Sequence, residues 1–440
     1  MRWIMALISL PDDVKRIISA LEKRGFEAYI VGGCVRDALL GRKPDDWDLT
    51  TSARPEEIKA LFPRTIDTGI KHGTVTVLIG RNTYEVTTYR TDGIYEDGRH
   101  PTSVTFVPNL EEDLKRRDFT INAMAYNMDK GLVDLFGGKE DLRLGWIRCV
   151  GVPEERFGED ALRVLRAIRF SAQLGFRVEE QTYEAIRKLA PTIVKVSAER
   201  VQVELVKLLV SARPEVLEDM LKTGLARFIL PEFEDLADRG LADRAIQVIR
   251  RLRPEKVLRL AGLYQDAAPL KSVPEKKVSG EEERRALAGE DAAARTAART
   301  ALRRLKFDND TISKVSALAL FHACRIEPDR RSVRKAAARM GTTIFPLWLE
   351  LSRANSETEP SSKDSQTVLE KLDSLYASIL EEGDCISLSG LAIGGRELLE
   401  AGIPRGPRIG ETLEKLLDRV LEEPALNRRE ILLELVNEFK

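Results

Sequence analysis

The sequence has few cysteine, histidine and aromatic residues. Its four cysteines lie far apart with no Cys-x-x-Cys pair, so neither a zinc ribbon nor a secreted disulfide framework is expected. Three histidines are too few for a His/Asp phosphohydrolase metal site. Aromatic residues make up 6% of the chain, which suits a helical body rich in Arg, Leu, Ala and Glu. We therefore expect a reducing, cytoplasmic environment.

Long apolar runs and an excess of charge of one sign are also missing. No stretch of about 18 apolar residues occurs, so we expect no membrane span, and residues 1–15 lack the pattern of a signal peptide. The 70 basic and 71 acidic residues give a net charge of −1. Any site for a polyanion must therefore be a local basic patch rather than a property of the whole chain.

The hydrophobic pattern changes near residue 150. Before this point helical patterns alternate with β-rich runs, and after it only helical segments are expected, broken by polar stretches at 271–283 and 354–366. A chain of 440 residues exceeds the usual size of a single core. We predict an α/β N-terminal domain followed by an all-helical remainder. The helical patterns of the first part cover 11–24, 35–40 and 55–62, and the β-rich runs cover 26–31, 46–51, 73–79 and 83–90.

Two aspartates, Asp46 and Asp48, flank Trp47 in the second β-rich run. Residues i and i+2 of a strand point to the same face, so the two carboxylates are expected side by side. Mg²⁺ commonly uses one or two carboxylates together with substrate phosphates. The pair is therefore a candidate Mg²⁺ site that would activate a hydroxyl and stabilise a leaving pyrophosphate. An isolated Asp-x-Asp is more often a turn or a cap.

A pair of glycines precedes these aspartates. Gly32 and Gly33 end the first β-rich run, and a helix carrying Arg36 follows them. A strand that ends in Gly-Gly before a helix leaves backbone N–H groups free to approach phosphate oxygens. A tight turn with a solvated Arg36 is the alternative. Together with the two aspartates, the glycines and the arginine indicate a site for a triphosphate and a metal ion.

Motifs in this order resemble the nucleotidyltransferases of the DNA polymerase beta superfamily, and most closely the class II tRNA nucleotidyltransferases and their bacterial poly(A) polymerase relatives. The resemblance continues in "EVTTYRTDGIYEDGRHPTSVTFV", "RRDFTINAMAYN", "GLVDLFGGKEDL", "EDALRVLRAIRF" and "AERVQVELVKLL". It is specific over residues 25–210 and weaker in "LAIGGRELLEAGIPRGPRIGETLEKLL". It implies an α/β nucleotidyltransferase head with a mixed sheet (1–150), a helical neck (151–213), a helical body (214–330) and a helical tail that binds tRNA (331–440).

Base selection can be argued for Asp160 and Arg163, which are three residues apart and neighbours on a helix. An aspartate accepts from an exocyclic amino group, and an arginine donates to the adjacent ring nitrogen. Cytosine and adenine both show that pattern, whereas uracil and guanine show the reverse. One such pair admits CTP and ATP and rejects UTP and GTP, which is how the family uses these two positions.

The resemblance also implies roles for other residues. Arg117 is expected near the triphosphate, and Asp118 near the ribose with Asn122 supporting it. The three-residue step along the helix continues to Arg166 and Arg169, which are expected to reach phosphate or the flank of the base. Glu85 is a candidate third metal carboxylate, with an outward-facing strand glutamate as the alternative.

The implied activity is addition of CMP, CMP and AMP to the 3′ end of tRNA from CTP and ATP, with Mg²⁺ and release of pyrophosphate. The alternatives are an A-adding enzyme, a CC-adding enzyme, a poly(A) polymerase or an inactive tRNA-binding protein. A complete loop at 91–104 disfavours CC addition alone, and the four residues Asp46, Asp48, Asp160 and Arg163 disfavour an inactive protein. The candidate contacts to the tRNA acceptor and TψC arm are residues 330–341, Arg295, Arg299, Arg303, Arg304, Lys306, Arg405 and Arg408.

Overall fold

A computed structural model of the chain describes residues 8–92, 104–267, 290–358 and 362–439. Residue contacts divide the protein into two compact units, residues 1–229 and 230–440. The division into head, neck, body and tail is finer than this and stays a prediction. Most of the loop at 91–104, with His100, and the polar stretch at 271–283 lie outside the described residues.

Within the described residues, the first unit contains a mixed seven-stranded sheet in the order β3-β4-β5-β2-β1-β8-β9. The β2–β5 pair is parallel, and the other neighbouring pairs are antiparallel. This confirms the predicted α/β head. The strands are β1 (Ala28–Val31), β2 (Leu49–Thr51), β3 (Thr65–Gly69), β4 (Thr74–Ile79), β5 (Asn82–Thr88), β6 (Arg90–Asp92), β7 (Val104–Phe106), β8 (Met124–Asn127), β9 (Gly131–Asp134), β10 (Trp146–Ile147) and β11 (Arg177–Val178).

The earlier helices of the first unit flank this sheet, and the later ones follow it in the chain. Amphipathic patterning accounts for the first of them, because Val14, Ile17, Ile18 and Leu21 are all fully buried. The helices are α1 (Asp12–Glu22), α2 (Gly33–Leu39), α3 (Pro55–Leu61), α4 (Leu110–Lys115), α5 (Gly138–Leu144), α6 (Pro153–Glu159), α7 (Leu162–Leu174), α8 (Glu180–Leu189), α9 (Ala198–Leu209), α10 (Leu217–Lys222) and α11 (Ala226–Ile229).

The second unit is helical throughout its described residues, as predicted. Its C-terminal part has a core that includes Leu398, Leu416, Leu432 and Val436, all fully buried. No helix among the described residues of either unit is long and apolar enough to cross a membrane. The helices are α12 (Pro231–Asp238), α13 (Ala242–Arg251), α14 (Lys256–Tyr264), α15 (Glu290–Arg304), α16 (Asn309–Phe321), α17 (Arg330–Met340), α18 (Ile344–Ser356), α19 (Ser362–Glu381), α20 (Gly395–Glu400), α21 (Pro407–Glu422) and α22 (Arg429–Glu438).

Two expectations about elements are wrong. The region after residue 151 contains a strand, β11, which pairs in parallel with β10 over two residues. A pairing this short leaves no period-two pattern in the sequence. The predicted break at 354–366 is narrower, because α18 continues to Ser356 and α19 begins at Ser362.

Candidate active site

The chain turns sharply between β1 and α2 at Gly32. Its φ of 80° lies in the left-handed region, where a side chain is strained. A Cβ atom there would also lie 2.9 Å from Nη1 of Arg117. The positive φ is what favours glycine, and the short distance shows that the guanidinium end of Arg117 lies over the turn.

Asp48 lies beside this glycine turn because β1 and β2 are antiparallel neighbours. The last ladder bond runs from the N–H of Val31 to the carbonyl oxygen of Asp48, at 3.0 Å. Strand β2 begins only at Leu49. The expectation that Asp46 and Asp48 lie within a strand is therefore wrong. The reason is that β1 turns away at Gly32 and leaves no backbone opposite Trp47 and Asp46. Both aspartates are exposed to solvent.

Glu85 lies next to Asp48 on the neighbouring strand. Leu49 of β2 is in register with Val86 of the parallel strand β5, which places Asp48 alongside Glu85. Partial desolvation raises the pKa of Asp48, the charge of Arg117 opposes this rise, and the charges of Glu85 and Asp46 add to it. Three carboxylates and one guanidinium therefore act on the same small region.

This donor set suits a metal ion that the substrate helps to hold. No group of three His, Cys, Asp or Glu side chains in the described part of the chain is arranged to hold a metal on its own. Mg²⁺ does not need such a group, because it commonly combines one or two carboxylates with phosphate oxygens. The exposed carboxylates of Asp46 and Asp48 fit that mode.

Asp113 is the hydrogen-bond partner of Arg117 within the described residues. Nη2 of Arg117 is 3.5 Å from Oδ2 of Asp113, and its buried Nε has no hydrogen-bond partner there. The charge of Arg117 opposes the rise in the pKa of Asp48. Of the predicted nucleotide-binding arginines, Arg117 is the one that the structure places over the glycine turn.

Arg36 is used differently. It is 9% exposed, and its Nη1 donates to Oδ1 of Asn122 at 2.7 Å. Its Nε and Nη2 donate to the carboxylate of Asp37 at 2.9 and 2.8 Å. The expected role of Arg36 in holding a triphosphate stays a prediction, because much of its donor capacity is engaged within the chain.

Asp118 and Asn122 join the head to helix α7. Oδ1 of Asp118 accepts from the N–H of Phe119 at 2.8 Å and from Nδ2 of Asn122 at 3.1 Å. Its Oδ2 accepts from Nε and Nη2 of Arg166 at 2.8 and 2.6 Å. Burial acts to raise the pKa of Asp118, but the charges of Arg166 and Arg163 outweigh it and hold the pKa well below its usual range.

Arg169 lies deeper in the same network. Its Nε donates to Oε2 of Glu204 on α9 at 2.6 Å, and both side chains are nearly inaccessible. Burial lowers the pKa of Arg169 to about 10, against the charge of Glu204. The guanidinium groups of Arg36, Arg166 and Arg169 lie 5.1, 5.3 and 3.4 Å from the ring centre of Phe170. Glu204 was not among the predicted site residues, although a glutamate on the apolar face of a helix could have indicated a buried ion pair.

Asp160 and Arg163 are near each other in the chain. The expectation that both lie on one helix is wrong. Helix α7 begins at Leu162, and Asp160 precedes it with its Oδ1 accepting from the N–H of Leu162 at 3.0 Å. Aspartate favours such positions because it satisfies a free N–H at the helix start. Arg200 of α9 donates to both carboxylate oxygens of Asp160, at 3.2 and 2.6 Å.

Arg163 is 8% exposed and is held by residues that sequence analysis did not single out. Its Nη1 donates to Oε2 of Glu159 at 2.6 Å and to the carbonyl of Arg156 at 3.0 Å. Its Nη2 donates to the carbonyl of Arg116 at 2.8 Å. The structure therefore connects Arg163 to the "RRDF" segment, while Glu159 and Arg200 hold the two members of the predicted base-reading pair.

The basic residues of the second unit fall into two groups. The basic residues of helix α17 form ion pairs within the chain. Arg330 and Arg334 pair with Asp384, and Arg331 and Lys335 pair with Glu422. Arg304 pairs with the buried Glu232 at 2.8 Å. Among the predicted RNA contacts, the exposed residues with no ion-pair partner in the described ranges are Arg295, Arg299, Arg303, Arg405 and Arg408. An RNA contact through α17 is therefore less favoured than one through these five.

Comparison with known families covers most of the chain. Residues 28–148 match the poly A polymerase head domain, and residues 175–236 match a domain described as a probable RNA and SrmB binding site of polymerase A. Residues 290–436 match tRNA nucleotidyltransferase domain 2. The first match contains the glycine turn, both aspartates, Glu85 and the "RRDF" segment.

Known proteins match over the whole length. The chain is 39% identical over 422 residues to the CCA-adding enzyme of Latilactobacillus sakei, a match that covers 95% of each chain. It is 52% identical over 229 residues to that of Lactiplantibacillus plantarum, which covers 51% of this chain and 56% of the relative. The crystal structure of the Bacillus stearothermophilus CCA-adding enzyme in complex with CTP is similar with a TM-score of 0.72 and 32% identity, over 98% of each chain.

Proposed function

The chain belongs to the CCA-adding enzymes of the class II tRNA nucleotidyltransferases, and from this premise we propose that it builds the CCA end of tRNA. Its substrates are CTP, ATP and the 3′ end of tRNA. In each step the terminal hydroxyl oxygen of the RNA forms a bond to the α-phosphorus, and the bond from that phosphorus to the β-phosphate oxygen breaks. Pyrophosphate leaves, and the hydroxyl proton is released to water.

The observation that carries this proposal is the position of Arg117 over Gly32, from which its charge acts on Asp48. A cation with free donors, a backbone turn open to phosphate oxygens and a pair of exposed carboxylates lie at one edge of the sheet. Arg117 and the turn bind the triphosphate and orient its α-phosphate. An arginine is suited to this because its planar fork of donors matches phosphate oxygens.

Enzymes of this family generally need a divalent metal ion. We assign Asp46 and Asp48 to hold Mg²⁺, with Glu85 beside them. Held by these carboxylates, Mg²⁺ would supply positive charge that makes the attacking hydroxyl more acidic and offsets the charge of the leaving pyrophosphate. The contribution of the chain is to keep these carboxylates exposed and next to the triphosphate site.

Base selection is assigned to Asp160 and Arg163. The carboxylate accepts from the exocyclic amino group of cytosine or adenine, and the guanidinium donates to the adjacent ring nitrogen. Arg200 and Glu159 orient the two side chains through ion pairs. Asp118, Asn122, Arg166 and Arg169 support the ribose and phosphate side of the site through the buried network that joins α7 to the head.

The RNA partner is bound mainly through its phosphates along the acceptor and TψC arm, which needs no base readout. The match of residues 175–236 to an RNA-binding domain supports this. We place the protein in the cytoplasm, and its four free cysteines support that location.

The test is label incorporation into tRNA transcripts that end at the discriminator base, at C or at CC, with Mg²⁺ and CTP, ATP or both. Two additions from CTP followed by one from ATP would establish CCA addition. Activity only with ATP on the CC-ended transcript would make the protein an A-adding enzyme, and two additions from CTP without a third would make it a CC-adding one. Continued addition from ATP would indicate a poly(A) polymerase, and no addition an inactive RNA-binding protein.

A further inference from the structure

Asp113 is a buried carboxylate at the active site to which no role has been assigned so far. It lies on α4 and is completely inaccessible to solvent. Its Oδ2 accepts from Oγ1 of Thr50 at 3.1 Å. Its Oδ1 accepts from Nε and Nη2 of Arg116 at 3.0 and 2.8 Å, and Oδ2 lies 3.5 Å from Nη2 of Arg117. A buried carboxylate is costly unless it is paired, and here two guanidinium groups share it.

Arg117 depends on this carboxylate. Asp113 is its only carboxylate hydrogen-bond partner among the described residues, and its Nε has no partner there. The charge of Arg117 also acts on Asp48. The guanidinium therefore interacts with two carboxylates, Asp113, which is buried and 3.5 Å away, and Asp48, which is exposed at the metal position.

We propose that Asp113 is a positioning residue that holds Arg117 over the glycine turn, where its free donors meet the triphosphate, and keeps it from pairing with Asp48. This rests on the proposed function. Without the charge of Asp113, the side chain of Arg117 can change rotamer, and electrostatic attraction favours its turning toward Asp48. That movement would remove a phosphate donor and occupy a carboxylate that Mg²⁺ needs.

The second contact of Asp113 reaches the base-reading side. Arg116 is fixed by Asp113, and its carbonyl oxygen accepts from Nη2 of Arg163 at 2.8 Å. This link runs through backbone, whereas the link to Arg117 is a direct side-chain contact. Loss of Asp113 should therefore weaken binding of the phosphates more than selection of the base.

The test uses the full-length chain with Asp113→Asn. We expect the KM for CTP to rise about tenfold and kcat to fall as well, because Arg117 then leaves the triphosphate and pairs with Asp48, which Mg²⁺ needs. Binding of inorganic tripolyphosphate, which has no base or ribose, should weaken by a similar factor in calorimetry. The matched control is Glu232→Gln, since Glu232 is also buried and paired with an arginine, Arg304, but belongs to the second unit. Its KM should stay at the wild-type value.

A double-mutant cycle distinguishes positioning from general structural support. In an Arg117→Gln background, Asp113→Asn should have little further effect on tripolyphosphate binding, because its effect acts through Arg117. Equal effects in both backgrounds, or a folded Asp113→Asn protein with unchanged KM and binding, would overturn the proposal. If Asp113→Asn does not fold by circular dichroism, Asp113→Glu and Thr50→Val take its place in the same cycle. Tripolyphosphate binding reports on Asp113 even if the wild-type chain adds no nucleotide, so the two proposals fail separately.

Discussion

Arginines serve different purposes in the two units of this protein. In the first unit Arg36, Arg166 and Arg169 lie around Phe170 and are hydrogen-bonded to carboxylates or amides beside the proposed nucleotide site. In the second unit Arg331 and Lys335 of α17 lie at the surface and pair with Glu422 of α21, although Arg334 of the same helix is buried. The same residue type builds a rigid buried site in one unit and connects helices at the surface in the other.

Burial accounts for the difference. A buried charge must be fully paired, so each partner restricts the position of the next, and the network becomes rigid. An exposed pair is screened by water and contributes little to stability. We therefore expect removal of a partner to have a large effect in the first unit and a small effect in the second.

The largest effect is expected from Asp48→Ala. Nucleotide addition should fall on the order of a thousandfold, because the variant loses a metal carboxylate next to the triphosphate. Label incorporation into tRNA transcripts measures this. Asp45→Ala is the matched control, since it removes an exposed acid three residues away and should leave addition nearly intact. An equal loss in both variants would contradict the metal assignment.

The next effect concerns stability. Glu204→Gln should lower the free energy of unfolding by about 3 kcal/mol, because the buried guanidinium of Arg169 loses its carboxylate. Denaturant unfolding followed by circular dichroism measures this. Glu422→Gln removes a carboxylate that pairs with Arg331 and Lys335 at the surface, and its unfolding midpoint should stay close to wild type. A similar shift for both would show that burial does not separate the two units.

Selectivity should change to a smaller degree in Arg163→Ala. Discrimination against UTP should decrease about tenfold, because the ring-nitrogen donor is lost, and a good bidentate contact is worth about 1–3 kcal/mol. Competing CTP and UTP on one transcript gives the ratio directly. Arg187→Ala removes an exposed arginine on α8 and serves as the control. Unchanged selectivity in Arg163→Ala would refute the base-reading role.

The smallest effect is expected from the exposed arginines of α15. Changing Arg295, Arg299 and Arg303 together to Gln should reduce the dependence of tRNA affinity on salt, with the log–log slope falling by about two to three. The paired residues Arg331 and Lys335, changed together to Gln, should alter the slope much less. Filter binding over a range of salt concentrations tests both. A larger change of the salt dependence in the α17 variant than in the α15 variant would indicate that tRNA binds at α17 instead.

Local pattern was enough to predict much of the first unit. The apolar spacing of α1 and the alternation in β4 and β5 indicated the right elements, and Gly32 marked a real turn with positive φ. The start of β2 was misplaced, because it depends on where β1 turns away. Strand β11 was missed, since two residues carry no period.

The sequence did not predict which charged side chains of the site pair with each other. Asp160 and Arg163 were expected to be neighbours on one helix, yet each has its own ion-pair partner, Arg200 for Asp160 and Glu159 for Arg163. Asp113 and Glu204 gave little signal because an acid on a helix is usually exposed. Only the packing of α4 and α9 makes these two buried.

The sequence by itself determined the types of elements, the glycine turn next to a carboxylate pair and the resemblance to nucleotidyltransferases, because these depend on residues close together in the chain. The tertiary structure alone decided which charges meet. Arg36 and Asn122 are 86 positions apart, and Asp160 and Arg200 are 40 apart. Such contacts leave no local pattern, since they form only when distant helices and strands pack and water is excluded between them.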